Sequence, residues 1–292
     1  MGKTMPGIFT ETWMSRERTP KWRLITNLDI WLSVLFIALT ILAVVAPSLI
    51  AAQSSTAPNF SAMLQPPSWD HFFGTDSLGR DLFSRTIHGA RYSVLIGLGS
   101  VVLALAFAMP LGIIAGVSRP LVDQAIVRLL DVIASFPELL LAILVIALLG
   151  PGLANLIVAL GVASIPKFAR VVRAQTRTAM TSGYVEHART LGQARTRTIL
   201  RHVLPNAIGT LPVLSTLGLG YSIINAAGLS FLGLGPRPPT PEWGLMLSEA
   251  ISNLRIAWWA GVFPGAMITL LVISLTVLGK RAQSIYEKRR LH

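Results

Sequence analysis

The chain has 292 residues, of which 52% are hydrophobic and only 13% charged, against about 25% charged in an ordinary soluble domain. That deficit, with a positive mean hydropathy, excludes the ordinary soluble classes and places the chain among membrane proteins. Its net charge of +12 fits basic cytoplasmic loops better than nucleic acid, and the absence of cysteine excludes disulfides, thiolate metal sites and cysteine nucleophiles.

In chain order, a polar leader of about 28 residues comes first. The apolar run behind it is too long for a cleavable signal and reads as an anchor that stays. A spanning helix needs about 20 mostly apolar residues. Six segments supply them or nearly do: 30–52, 93–117, 132–149 (with Pro137 and Glu138), 153–169 (with Pro166), the Gly-rich 207–234, and 257–279. Helices are expected because an unpaired amide in lipid costs several kcal/mol, and the alternating strands of a barrel are missing. The expected fold class is therefore an all-α polytopic membrane protein with six transmembrane helices. Placing both termini in the cytoplasm puts all but five of the 25 basic residues there, the five being Arg80, Arg85, Arg91, Arg237 and Arg255.

The first outer loop, 53–92, carries a helical pattern. Thr75 or Asp76 can cap it, Leu78, Leu82, Phe83, Ile87 and Ala90 form its apolar face, and Arg80, Asp81 and Arg85 its polar face. This predicts an amphipathic helix on the outer membrane surface, or a plain connecting helix, leading into the second span. The second outer loop is stiffened by Pro238, Pro239 and Pro241 into an extended turn. Trp243, Trp258 and Trp259 sit where an interfacial aromatic belt belongs, the last two above all. Gly112 with Gly116, and Gly261 with Gly265, have the spacing that lets helices approach closely. Glu138 is the one acid well inside a span. Beside Pro137, about two turns from the cytoplasmic end, it suits a structural or helix-breaking role more than a proton or substrate role.

The longest polar run is 184–206, YVEHARTLGQARTRTILRHVLPN, on the cytoplasmic side. Tyr184, Ala188, Leu191 and Gly192 fall along one side of a helix as an apolar knob with a close-approach glycine. Arg189, Arg195 and Arg197 could meet acids on a partner. Pro205 should end one helix so that the next can start at a new angle. No phosphate-binding P-loop, zinc spacing of histidines or catalytic triad occurs, so the chain is not expected to be an enzyme, to bind ATP or to hold a cofactor or metal by itself.

Glu186-His187-Ala188, three residues, Gly192, and a close at Leu204-Pro205 resemble the EAA loop of bacterial ABC importer permeases. His202-Val203-Leu204-Pro205-Asn206 resembles the dipeptide, oligopeptide and nickel branch. Further blocks are similar to its second-type permease subunit, in order: Phe73-Gly74-Thr75-Asp76 and Leu78-Gly79-Arg80-Asp81; Asp123, Arg128, Asp131 and Phe136-Pro137; Leu229 to Gly235 with Pro238-Pro239 and Trp243-Gly244; and Trp258-Trp259 with Pro264-Gly265. The chain departs from the family at His187, commonly Ala; at Asn225-Ala226-Ala227, where an acid is often near; and at the basic tail after Gly279. These departures bear on cargo more than on the machine.

The resemblance implies a type I ABC importer permease fold in the bacterial cytoplasmic (inner) membrane. It implies segments 1–28 (cytoplasmic), 29–92 (first span and outer loop), 93–280 (core with a coupling loop at about 170–206) and 281–292 (basic tail). Tyr184, Glu186, His187, Ala188, Arg189, Leu191, Gly192 and Arg195 would dock on an ATPase. The implied partners are a second permease, two ATPase subunits that use ATP and Mg, an extracytoplasmic solute-binding protein and the lipid bilayer, with no nucleic acid. Cargo would be short peptides, with nickel or another metal chelate as the alternative. A pathway beside the fifth span would use Ser215, Thr216, Tyr221, Ser222 and Asn225, for each of which packing is the plainer role. An ion-coupled carrier would need paired intramembrane acids or inverted repeats, and neither is seen.

Overall fold

The computed structural model describes residues 27–209 and 211–290, and among these the secondary structure is helical, with no strand. Most of the leader and the end of the basic tail lie outside the described residues. The first span, α1 (Asn27–Val45), is shorter than its apolar run because Ala46 leaves helical geometry ahead of Pro47, which opens the single turn α2 (Pro47–Ile50).

The helix α3 (Leu82–Val117) has 36 residues, about 54 Å, nearly twice what the bilayer's hydrocarbon needs. The outer amphipathic helix is therefore no separate element: it is the first turns of α3, continuous with the second span. Its cap is Asp81, whose carboxylate accepts from the Ser84 amide at 2.7 Å, and neither Thr75 nor Asp76. Thr75 Oγ1 instead donates to Ala62 O at 2.5 Å.

The expected third span is two helices, α4 (Pro120–Ala134) and α5 (Glu138–Leu149), meeting at 81°. Pro137 explains the break. It has no amide to give a helix from α4, and its fixed φ suits the cap of the next. The fourth span belongs to a longer helix, α6 (Leu153–Met180), which tolerates Pro166. Small residues join α6 to α3. A Cβ at Gly112 would stand 2.6 Å from Val172 Cβ, and one at Gly116 2.5 Å from Thr176 Cβ, so this glycine pair is the contact line of the bundle. The second pair makes no such line: Gly261 meets Leu254, and Gly265 has ordinary space.

The long polar segment folds as α7 (Gly183–Thr190), α8 (Arg195–Thr198), a π-helical turn Ile199–Val203 and α9 (Leu204–Ile208), before the fifth span α10 (Leu211–Phe231). Pro205 does not stop the chain. The wide turn before it, in which the Leu204 amide bonds Ile199 O, gives room to the proline, and the helical path continues through α9. A further helix, α11 (Trp243–Ala250), precedes the last span, α12 (Trp259–Arg290). Among the described residues, five helices are long and apolar enough to cross a membrane, and α4 with α5, counted as one broken span, makes six.

The aromatic belt is corrected in part. Trp258 is half-exposed, but Trp243 is fully buried with Nε1 donating to Thr86 O at 2.8 Å, and Trp259 is buried with Nε1 donating to Thr75 O at 3.2 Å. A buried indole needs an acceptor for its single donor, and both rings find one in the outer loop region.

Candidate functional site

The long polar segment rests on an extension of α6 that passes the apolar run by about 16 Å. One face of α7 is buried: Val185 packs with Ala179, Met180, Val203 and Val117, which joins α7 to the ends of α6 and α3 and to the π turn, and Ala188 is buried on the same helix. Arg195, although exposed, is tied to this region, its Nη2 donating to Val117 O at 2.5 Å. That carbonyl lies in the last turn of α3, where a helix leaves acceptors without intrahelical partners. On the same side, the buried carboxylate of Asp123 on α4 receives Arg173 Nε at 2.5 Å and Arg177 Nη2.

The other face of α7 is open. Tyr184, Glu186, His187, Arg189, Leu191 and Gly192 are exposed, Leu191 by 87% of its surface. The expected apolar knob is thus divided: Tyr184 and Leu191 point outward, and Ala188 anchors the helix inward. Gly192 has φ +75° with nothing within 4 Å of a Cβ position, so it serves a turn and not a close approach inside the chain. Its amide bonds Arg189 O and the Gln193 amide bonds Ala188 O, both at 3.0 Å, the paired closure that ends a helix on a left-handed residue. Leu191 is thereby carried at the tip of a defined corner.

On the opposite end of the bundle, side chains expected to face water are buried. Arg80 Nε meets Asp76 Oδ2 at 2.6 Å and its Nη2 meets Glu249 Oε2 at 3.1 Å. Arg85, with no exposed surface, meets Glu249 Oε2 at 2.8 Å and donates to Ser55 O and Pro239 O. His71 Nδ1 stands 2.9 Å from Asp81 Oδ1. Glu242, almost fully buried, caps α11 by accepting from the Gly244 and Leu245 amides at 2.9 Å and takes the Ser93 hydroxyl at 3.1 Å. Burial pushes its carboxyl up from the ordinary 4.5, against the pull of those hydrogen bonds. Sequence reading missed α11, whose eight residues follow a proline-rich turn and start on a glutamate, a poor N-cap signal. With it went the acid that makes burial of the two arginines possible.

The five polar residues of α10 do not share one surface. Ser215 and Thr216 donate back to Leu211 O and Pro212 O, Ser222 is buried, and Asn225 is half-buried. Tyr221 alone is broadly exposed, at 62%. Glu138 stands in the first turn of α5 and accepts from Ser164 Oγ at 2.8 Å, as suits an acid at a helix start.

The family described as binding-protein-dependent transport system inner membrane component matches residues 108–292. The di/tripeptide transport system permease protein DppC of Pseudomonas aeruginosa is 44% identical over 74% of this chain and 74% of its own. The dipeptide transport system permease protein DppC of Alkalihalophilus pseudofirmus is 40% identical over 82% and 78%. The glutathione transport system permease protein GsiD of Pectobacterium atrosepticum is 42% identical over 76% and 73%. In fold, the chain is similar to a subunit of the MetNI methionine ABC transporter in inward-facing form, with TM-score 0.58 and 18% identity over 69% of this chain and 95% of that one.

Proposed function

The chain belongs to the family of binding-protein-dependent transport system inner membrane components, and on that premise we propose that it is the membrane subunit through which an ATP-driven importer takes up short peptides. The names of its relatives support the cargo, since they are di/tripeptide, dipeptide and glutathione permeases. The observation that carries the coupling role is the two-sided α7, whose inner face grips α3 and α6 while its outer face is left open.

In this reading the open face, Tyr184, Glu186, His187, Arg189 and Leu191 with the corner at Gly192, docks on an ATPase subunit. Buried Ala188 is the anchor, and Arg195, through its bond to Val117 O, the strut that passes movement to α3. ATP and Mg act on the ATPases, and this chain binds no cofactor. Closure of two ATPases shifts α7, and the helices fixed to it rock between inward- and outward-facing arrangements, a two-state element biased from one end. A second, similar permease completes the pathway, a solute-binding protein delivers cargo outside, and both termini lie in the cytoplasm. Purifying the chain with its co-expressed neighbours tests the machine: a complex without any ATPase sinks it. The ligand of the co-expressed binding protein tests the cargo, and a free metal chelate in place of a peptide overturns that part.

A further inference from the structure

Lys167 stands on α6 immediately after Pro166, and its Nζ lies 4.3 Å from the centre of the Tyr221 ring on α10. Tyr221 is the eleventh of the 21 residues of α10, so the ammonium is held beside the middle of a span and not drawn out to an interface. A lysine at mid-span costs about 2.5–3.5 kcal/mol in lipid, and such residues face bundle interiors or water-filled paths. Both side chains are nevertheless exposed in this chain. Tyr221, Ile224, Gly228 and Phe231 recur at helical spacing along one open stripe of α10.

The nearby acids bond other partners. Arg170, one turn further along α6, pairs with Asp131 at 2.7 Å, and Glu138 is held by Ser164. Among the described residues, no carboxylate lies within ion-pair distance of Lys167. The ring of Tyr221 takes one side of the ammonium, and an ammonium has three donors, so donors remain for an anion. A bilayer offers no anion at that depth. A peptide in transit does, because a linear peptide ends in a carboxylate.

We propose that Lys167, positioned by Tyr221, is a carboxylate-binding point on the transport path and takes the C-terminal carboxylate of the cargo peptide. The inference rests on the peptide reading above. It adds to the path a residue of α6 that a charge count alone assigns to the cytoplasm.

The test uses the whole importer, with its second permease, ATPases and binding protein, in proteoliposomes, and follows uptake of a labelled dipeptide. A charge-assisted hydrogen bond predicts about a 10- to 100-fold loss of uptake for Lys167→Gln. Lys167→Glu should lose more and Lys167→Arg should recover to within about 3-fold. Tyr221→Leu, which removes only the support, should lose about 3-fold. Retention of the second permease on purification separates this loss from failed assembly. Wild-type uptake by the Lys167→Gln complex overturns the inference alone. A Lys167→Gln subunit that sheds the second permease also overturns it, since Lys167 is then a subunit contact. A wild-type complex that imports no peptide removes the cargo reading and this inference with it.

Discussion

The two ends of the bundle solve opposite problems with the same residue types. At the end that carries α11, two arginines and two acids are held together: Arg80 and Arg85 are buried, and Glu249 and Asp76 bind them across the start of α3, the loop before it and α11. At the end that carries α7, Glu186, Arg189 and Arg197 are exposed, and α7 itself is held by a small apolar cluster, with Arg195 tied to Val117 O and the buried Asp123 taking Arg173 and Arg177 nearby. A sealed, neutralised cluster fixes one arrangement of the backbone, because each charge left alone in the interior is costly. An open cationic face on a thin apolar anchor can be grasped and moved. On the proposed function, the first end is a platform and the end that carries α7 a lever.

The largest effect that can break this contrast is at Arg85. Arg85→Ala leaves Glu249 and Asp76 short of a buried cation and should cost about 3–5 kcal/mol, read as a large drop in the unfolding midpoint of the detergent-purified complex or in membrane abundance. The same change at Arg189 should alter the midpoint by no more than about 0.5 kcal/mol equivalent. Equal losses at the two positions would erase the distinction between platform and lever. Next in size is Glu242→Ala, which removes the cap of α11 and leaves two buried amides and the Ser93 hydroxyl without their acceptor, for about 1–3 kcal/mol.

Glu242 also makes the platform sensitive to pH in a direction opposite to that of a salt-bridged acid. Its folded-state pKa is raised, so the folded chain holds the proton more tightly than the unfolded one. Stability from this group is therefore present below the ordinary 4.5 and is lost as pH rises from there toward the raised folded value. The wild-type midpoint minus that of Glu242→Gln should fall with rising pH across that window. A difference that rises instead would mean the hydrogen bonds outweigh burial.

How far the sequence discloses each end follows from what each end is made of. The helix α7 is legible because its signal is local: the spacing of Glu186, Ala188 and Gly192 is written within one helix and its closing turn. Gly112 and Gly116 likewise mark a contact that the fold makes between α3 and α6. The outer end is not legible, because its partners lie far apart. Arg85 and Glu249 are 164 residues apart, and a pattern of apolar and charged positions within one helix assigns Arg85 to water by default. Pro205 misled for a related reason. A proline signals a missing amide, but whether the chain stops or widens into a π turn depends on the surroundings of Ile199–Val203.

The smallest changes in stability are expected at the corner itself, where they separate turn from docking. Gly192→Asn keeps a residue that tolerates φ near +75° and should leave the corner intact at a cost below about 1 kcal/mol. Gly192→Val forces a branched side chain into that conformation and should disturb the corner even though nothing in the chain lies near its Cβ. A loss of ATPase association in Gly192→Val alone thus reports the turn and cannot be assigned to a clash with the partner. Leu191→Ala avoids the ambiguity. Its side chain is 87% exposed, so truncation should move the unfolding midpoint by less than about 0.5 kcal/mol equivalent. Buried against an ATPase, the same side chain is worth about 1.5–3 kcal/mol, and its loss should weaken association by about 10- to 100-fold. Unchanged association with Leu191→Ala would leave the lever with no grip at its tip and move the docking surface to Tyr184, at the other end of α7.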